Sequence, residues 1–269
     1  MKTVYLNLSH ETIRRELLIR EFKKAYIKED EYEQYSSLWG QNINKTMIKA
    51  LIHRQKLVNT NDWYRYFYKI EKNKLAIYLS HIFLWEKIYN SYTNDEKSAY
   101  GEYNLILEDD VILPPGQISK SDENKIIRLH DYIEHYLKSV PEDWDILFIG
   151  RSKNLYGKTI APNILKAFPM SKHRPETNHG MFAYLIKTNS IPKLLQIMLP
   201  IPVYYQHIDW KLRAYYSKGI NAYYLEKPLV MHNYKIESIR EQGLHRQRYK
   251  QTYSQNIHNL KYKHIRNYR

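Results

Sequence analysis

The 269-residue chain contains no cysteine, which excludes a disulfide frame and any zinc site built on thiolates. The same absence suits a reducing compartment. No uninterrupted apolar stretch reaches the roughly 18 residues that a membrane span needs. The opening Met1-Lys2-Thr3-Val4-Tyr5-Leu6-Asn7 lacks the apolar centre of a signal peptide. The expected location is therefore the cytoplasm, with at most a peripheral hold on the cytoplasmic face of a membrane. No internal repeat, low-complexity tract, helix-turn-helix, zinc-finger or RRM signature is present. Acids are scarce: 28 Asp and Glu face 42 Lys and Arg, a formal net charge of +14. Such an excess invites an anionic partner, whether nucleic acid, acidic lipid or a phosphorylated substrate. Between Gln242 and Arg269 there is no acid at all, only Arg246, Arg248, Lys250, Lys261, Lys263, Arg266 and Arg269 among the strong charges. The length suits one domain, taken as 1–240, followed by a basic extension over 241–269 that is expected to rest on an anionic membrane, to grip a charged acceptor, or to be simply solvated. The 27 tyrosines accompany abundant Lys, Ile and Asn and read as a compositional background.

What the chain does have is a concentrated acidic stretch. Leu105, Ile106 and Leu107 form a short apolar run suited to a buried strand, and Val111, Ile112 and Leu113 resume it. Between them stand Glu108, Asp109 and Asp110, three adjacent carboxylates that repel one another and call for a counter-charge. If a strand ends there, the acids sit at its carboxyl end, where open α/β sheets place their ligands. A hard divalent cation shared with phosphate oxygens is one natural partner, since Mg²⁺ takes few carboxylates and leaves room for substrate. A solvated acidic turn is the other reading.

The remaining elements alternate. Val4–Leu8 reads as a strand, Ser9 as the cap of a helix whose face carries Ile13, Leu17, Leu18 and Phe22, and Arg14 and Arg15 as first-turn residues that either meet a phosphate or are simply solvated on the surface. Glu31–Gly40 reads as a second strand and loop, and Ile43 to Val58 as a helix. Leu75–Tyr89 is a further helix with Ser80 and His81 set into an apolar run. Ile126 to Leu137 reads as a helix, Asp145–Gly150 as a buried strand, and 151–178 as a long loop. Met181–Ile186 is a strand, Ile191–Met198 a helix, and His207-Ile208-Asp209-Trp210 opens another helix; Tyr223–Leu225 and Leu229–Met231 are strand-like. Strands alternating with helices predict an α/β fold with a mixed, mostly parallel central sheet.

The ordered set of local patterns resembles a known family. Leu79-Ser80-His81…Leu84-Trp85-Glu86, Leu107-Glu108-Asp109-Asp110-Val111 and Asp143-Trp144-Asp145-Ile146-Leu147…Gly150 are similar to glycosyltransferase family 25. Gly180…Tyr184-Leu185-Ile186, Ile208-Asp209-Trp210 and Pro228-Leu229-Val230 continue the likeness, and Asn7-Leu8 with Arg14-Arg15 extends it back to the first strand. That family includes bacterial lipooligosaccharide galactosyltransferases and collagen hydroxylysine galactosyltransferases, with relatives in large viruses. The resemblance implies a GT-A-type nucleotide-sugar-binding fold and a UDP-hexose donor, with a glycan, lipid-linked sugar or glycoprotein as acceptor. It implies that Glu108-Asp109-Asp110 is the DxD-type motif, with Asp110 and His232 on Mn²⁺ or Mg²⁺. Asn7, Arg14, Ser80, His81, Glu108, Asp109 and Gly180 are then expected on the donor side. Family members mostly invert the anomeric carbon, which needs a carboxylate base on the acceptor side. Asp209 is expected in that role, with Trp210 against the acceptor; a helix N-cap is the competing role for Asp209. The sequence departs from the family where Lys74-Leu75-Ala76-Ile77-Tyr78 replaces a Gly-Glu-x-Gly pattern. Two other functions compete: a GT-A-like binding module without catalysis, and, as the weakest, a basic nucleic-acid binder.

Overall fold

The computed structural model describes residues 1–236 apart from 61, 66–70, 95–97, 120–124, 151–156, 169–179, 203–206, 217 and 235. In chain order the strands are β1 (Lys2–Asn7), β2 (Tyr32–Ser36), β3 (Tyr103–Glu108), β4 (Val111–Ile112), β5 (Gln117–Ile118), β6 (Ile126–Ile127), β7 (Ile146–Phe148), β8 (Gly157–Ala161), β9 (Ile164–Ala167), β10 (Ala183–Lys187), β11 (Ala222–Leu225) and β12 (Met231–His232). The α-helices are α1 (Thr12–Lys24), α2 (Lys45–His53), α3 (Asp62–Arg65), α4 (Lys72–Asn94), α5 (Leu129–Leu137), α6 (Ile191–Met198) and α7 (Ile208–Ala214). Among the described residues no helix is long and apolar enough to cross a membrane.

Eight strands form one sheet in the order β2-β1-β3-β10-β7-β11-β9-β8. β1 pairs in parallel with β2 and β3, and β7 with β11, while β10 runs against both its neighbours and β9 against both of its own. Six of the eight strands therefore point the same way, and the sheet is mixed and mostly parallel. The register aligns Asn7 with Ser36 and Leu6 with Glu108, so β1, β2 and β3 end on one edge. β10, being antiparallel, begins on that edge, with Ala183 opposite Leu107.

Both faces of the sheet are covered, as the near-continuous apolar strands require. One core joins Ile106, Val4 and Leu6 to α2, α4, α6 and α7 through Leu51, Leu79, Trp85, Leu194 and Leu212. The other joins Tyr5, Leu105 and Leu107 to α1 and α5 through Leu18, Phe22 and Ile133. Successive strand residues feed opposite cores, as the two-residue period of a strand dictates.

Several expectations need correction. α1 starts at Thr12 after the N-cap Glu11, so Ser9 is not the cap; residues 8–11 form a turn in which Glu11 N donates to Leu8 O at 2.9 Å. Its buried stripe is Arg14, Leu18 and Phe22, while Ile13 is 73% exposed. The spacing of four puts Arg14 on the inner face, and the polar residue holds that place because it meets acids there. The span 151–178 is not all loop: β8 and β9 form a hairpin within it, turning at Pro162-Asn163 with Asn163 at φ +62°. Ile126 and Ile127 belong to a short strand and not to α5. Met1–Asn233 forms one compact unit. The basic stretch assigned to a membrane surface lies outside the described residues.

Gly150 marks a tight point at the end of β7. A Cβ there would lie 2.8 Å from the Ala183 Cβ and 2.4 Å from a Phe182 ring carbon. We expect Gly150→Ala to lower stability by roughly 1–3 kcal/mol, as overpacking does in tight cores. A denaturant midpoint equal to wild type would show that β7 and β10 can part at no cost.

Candidate active site

The carboxyl edge of β3 distributes the acidic triplet by strand alternation. Glu108 continues the Ile106 side, toward α4, and Asp109 turns to the Leu107 side, toward α1. Asp110 follows in the turn, and its carbonyl accepts from Asn233 N at 2.6 Å.

Asp109 is buried and held from two elements. Asn7 Nδ2, at the end of β1, donates to its Oδ2 at 2.7 Å, and Arg14 Nε on α1 donates to its Oδ1 at 2.9 Å. Arg14 Nη2 also bonds Asp109 and reaches Asp110 Oδ2 at 3.1 Å. Gln34 Nε2 donates to Asn7 Oδ1 at 3.1 Å, which fixes the amide the right way round. Burial opposes the Arg14 charge, yet its bonds to Asp109 and Asp110 keep its pKa above the ordinary value. For Asp109 burial wins over Arg14 and raises the carboxyl. Arg14 thus turns inward, onto the acids, and Arg15 lies toward Gln34 at 3.5 Å.

His232 arrives from the far end of the chain. β12 pairs with β4, setting His232 opposite Val111. Its Nε2 lies 3.4 Å from Asp110 Oδ2, and its ring meets Phe182 edge-on at 5.4 Å. Burial lowers the imidazole's affinity for a proton, but Asp110 and then Glu108 outweigh it and raise the pKa. Burial likewise opposes the Asp110 charge, and His232 followed by Arg14 brings that pKa down. Asp110 Oδ1 is buried and makes no hydrogen bond.

On the α4 side, His81 Nε2 lies 3.6 Å from Glu108 Oε1. Ser80, beside it, is engaged structurally: its hydroxyl donates to Ala76 O at 2.7 Å and accepts from Leu38 N at 2.8 Å. Gly180 has φ +101°, a conformation that glycine adopts without strain. It leads into the segment whose Phe182 carbonyl accepts from Glu108 N at 2.8 Å. The Lys74–Tyr78 segment lies inside α4, and the close packing at that helix start comes from its partner Gly40, where a Cβ would sit 2.7 Å from Asn73 N.

Asp209 and Trp210 form a separate cluster on the first turn of α7. The N-cap is His207, so Asp209 is not the cap; its Oδ1 accepts from Trp210 N at 3.0 Å. Trp210 is 46% exposed, stacked on His207 at 5.2 Å and 22°, with the Arg213 guanidinium 6.0 Å from its ring.

Tyr184 and Trp85, given no site role from the sequence, adjoin His81 in the core. Their signal was present, since Tyr184 shares the Ile186 side of β10 and Trp85 follows His81 by four residues on α4.

A family model described as glycosyltransferase family 25 (LPS biosynthesis protein) matches residues 1–209. The chain belongs to glycosyltransferase family 25. No curated protein sequence matches it. Among solved structures, a protein from STIV shares 12% identity over 84% of this chain and 83% of its own, with a TM-score of 0.39. A glycosyltransferase involved in glycosylation of the major capsid of PBCV-1 shares 8% over 88% and 93%, also at 0.39. The inositol-1-phosphate CTP transferase from T. maritima shares 12% over 86% and 89%, at 0.34. Scores of this size leave the assignment resting on the family match.

The His232–Asp110 pair has a definite pH signature. His232 has a raised folded pKa, so its contribution is fully present below its ordinary value of 6.5 and fades as pH rises through the folded value. The stability gap between wild type and His232→Asn should therefore shrink from pH 6 toward alkaline pH. A gap that widens instead would show that His232 is held neutral.

Proposed function

We infer that this family 25 glycosyltransferase is metal-dependent and moves a hexose, galactose or glucose, from a UDP-sugar to a hydroxyl of a glycan, lipid-linked sugar or glycoprotein, with inversion. The observation that carries the reading is Asp110 Oδ1, a buried carboxylate oxygen without a hydrogen bond, on a residue paired with His232 at the ligand-binding edge of the sheet. Among the described residues no three His, Cys, Asp or Glu side chains converge as a complete cage. One carboxylate and one imidazole fit an ion of the Mg²⁺ or Mn²⁺ type, which is commonly held by one or two protein groups together with substrate phosphates. Asp110 and His232 would hold it, and when bound it neutralises the charge a nucleoside diphosphate gains as the glycosidic bond breaks. Arg14 and Asn7 keep Asp109 in place behind Asp110. Asp209 takes the proton of the acceptor hydroxyl, and the exposed Trp210 face offers a wall for the acceptor sugar.

UDP should stabilise the protein only with Mn²⁺ or Mg²⁺ present. Ligand at about 100 times its dissociation constant adds roughly 2.7 kcal/mol, read as a thermal shift. Asp110→Ala should abolish the metal-dependent part, and equal stabilisation by UDP in excess EDTA would remove the ion from the mechanism.

Asp209→Asn keeps an oxygen to accept from Trp210 N but cannot take a proton. We expect it to melt near wild type, to bind UDP and metal normally, and to lose about 10²–10⁴ in kcat. Turnover above roughly a tenth of wild type would place the base elsewhere.

A further inference from the structure

We propose that Lys211 is the positioning residue for Asp209: it anchors the α7 turn that carries Asp209 and Trp210 onto the end of α6. The catalytic consequence rests on the base role given to Asp209 above; the anchor itself does not.

Lys211 closes the turn in question. Its backbone N donates to His207 O at 3.2 Å, so Asp209 and Trp210 lie within the turn that this bond completes. Its side chain reaches out of the helix. Nζ donates to Met198 O, on the last residue of α6, at 2.8 Å and to Pro200 O in the connection that follows at 3.2 Å. The last carbonyls of a helix lack partners within it, and a lysine ammonium suits both their lone pairs and the helix dipole.

The carbonyls that Lys211 grips belong to a stretch held from two other sides. Tyr78 Oη on α4 donates to the same Met198 O at 2.8 Å. Just past Pro200, Ile201 N donates to Lys56 O at 2.8 Å, and Ile201 O accepts from Val58 N at 3.0 Å. Tyr78 ends the Lys74–Tyr78 segment that departs from the family pattern, so that segment is built into the joint.

Lys211 is buried, and among the described residues it forms no ion pair. Burial pulls its pKa down to about 8, which leaves it mainly charged at neutral pH. An apolar side chain would be easier to bury there. What the ammonium adds is direction. Ile208 and Leu212 seat α7 in the core, but apolar burial is non-directional. Two hydrogen bonds to fixed carbonyls define how the turn is rotated.

The test compares two variants. Lys211→Met keeps the length of the side chain and loses its donor. Tyr78→Phe removes the other donor to Met198 O and leaves α7 untouched. Neither strands a buried charge, so both should fold. The first readout is acrylamide quenching of Trp210, taken as the difference between each protein and the same protein carrying Trp210→Phe. Quenching should rise in Lys211→Met and stay at the wild-type value in Tyr78→Phe. Lys211→Cys gives the chain its only cysteine, and aminoethylation of that thiol rebuilds a lysine-like amine. Aminoethylation should restore the wild-type quenching and carbamidomethylation should not; this pair carries the comparison if Lys211→Met does not fold. The second readout is hydrolysis of UDP-galactose and UDP-glucose with Mn²⁺, water taking the acceptor's place. Lys211→Met should lower kcat by about 10- to 100-fold, the effect of a slightly misplaced catalytic group, with KM for the donor unchanged. Tyr78→Phe should keep kcat near wild type.

Trp210 quenching equal to wild type in Lys211→Met, or raised as much in Tyr78→Phe, would overturn the anchor and leave Lys211 a cap of α6 alone. Raised quenching with unchanged kcat would overturn its link to Asp209, while the proposed function stands on wild-type hydrolysis. If wild type neither binds UDP nor hydrolyses either donor, the proposed function falls and quenching alone decides the anchor.

Discussion

The structure depends on one buried ion cluster, Arg14 against Asp109 and Asp110. Adjacent carboxylates at a strand end cannot be taken out of water without a counter-charge, and here both are buried. Arg14 supplies it from the first turn of α1, and Asn7 adds a neutral donor from β1. The cluster thereby fixes how α1 lies on the sheet, because a helix that buries Arg14 must also bury Leu18 and Phe22 and leave Ile13 outside. Removing one partner from such a buried pair costs about 3–5 kcal/mol in general. The acids thus constrain the fold as much as they equip the site.

Strand geometry then gives three consecutive acids three different surroundings. Glu108 faces α4 and His81, Asp109 faces α1 and Arg14, and Asp110, past the last strand residue, meets His232 on β12. A helix would have spread the three around its circumference at about 100° intervals. A strand end instead sends neighbours to opposite faces and lets the third turn away. Asp109 becomes a held structural acid, Asp110 retains an unsatisfied oxygen, and Glu108 stays partly exposed beside a fully buried imidazole.

Much of this was legible in the sequence wherever a local pattern determines the outcome. Apolar runs located β1, β3, β7 and β10, and the residues Ile191 to Met198 marked α6 to the residue. The α1 stripe was misread because apolar character was used as the only sign of burial, and an arginine neutralised by acids 95 residues away is invisible to that criterion. The β8–β9 hairpin was missed because Lys158 and Lys166 interrupt its alternation on a sheet edge that stays partly solvated. Ser80 looked like a polar residue awaiting a ligand; its two partners, Ala76 O and Leu38 N, are backbone groups that no side-chain pattern announces. His232 was placed beside Asp110 by the family resemblance, while the β4–β12 pairing that brings it there is two residues long and carries almost no sequence signal.

Charge counting at the sheet edge links these features to the proposed chemistry. Glu108, Asp109 and Asp110 contribute three negative charges when ionised, and Arg14 cancels one. The remainder equals the charge of one divalent ion. His232 can supply part of that balance itself when protonated, and its raised pKa shows that the surrounding acids favour it. A coordinating imidazole must be unprotonated at the nitrogen that binds, so an ion held by Asp110 and His232, as proposed above, would displace the imidazole proton. On that proposal proton and ion would be alternative occupants of one electrostatic well, and Arg14 would set its depth by cancelling one of the carboxylate charges. One arginine on the inner face of α1 neutralises these buried acids, which is why a polar residue occupies a helical position that apolar packing alone would have filled.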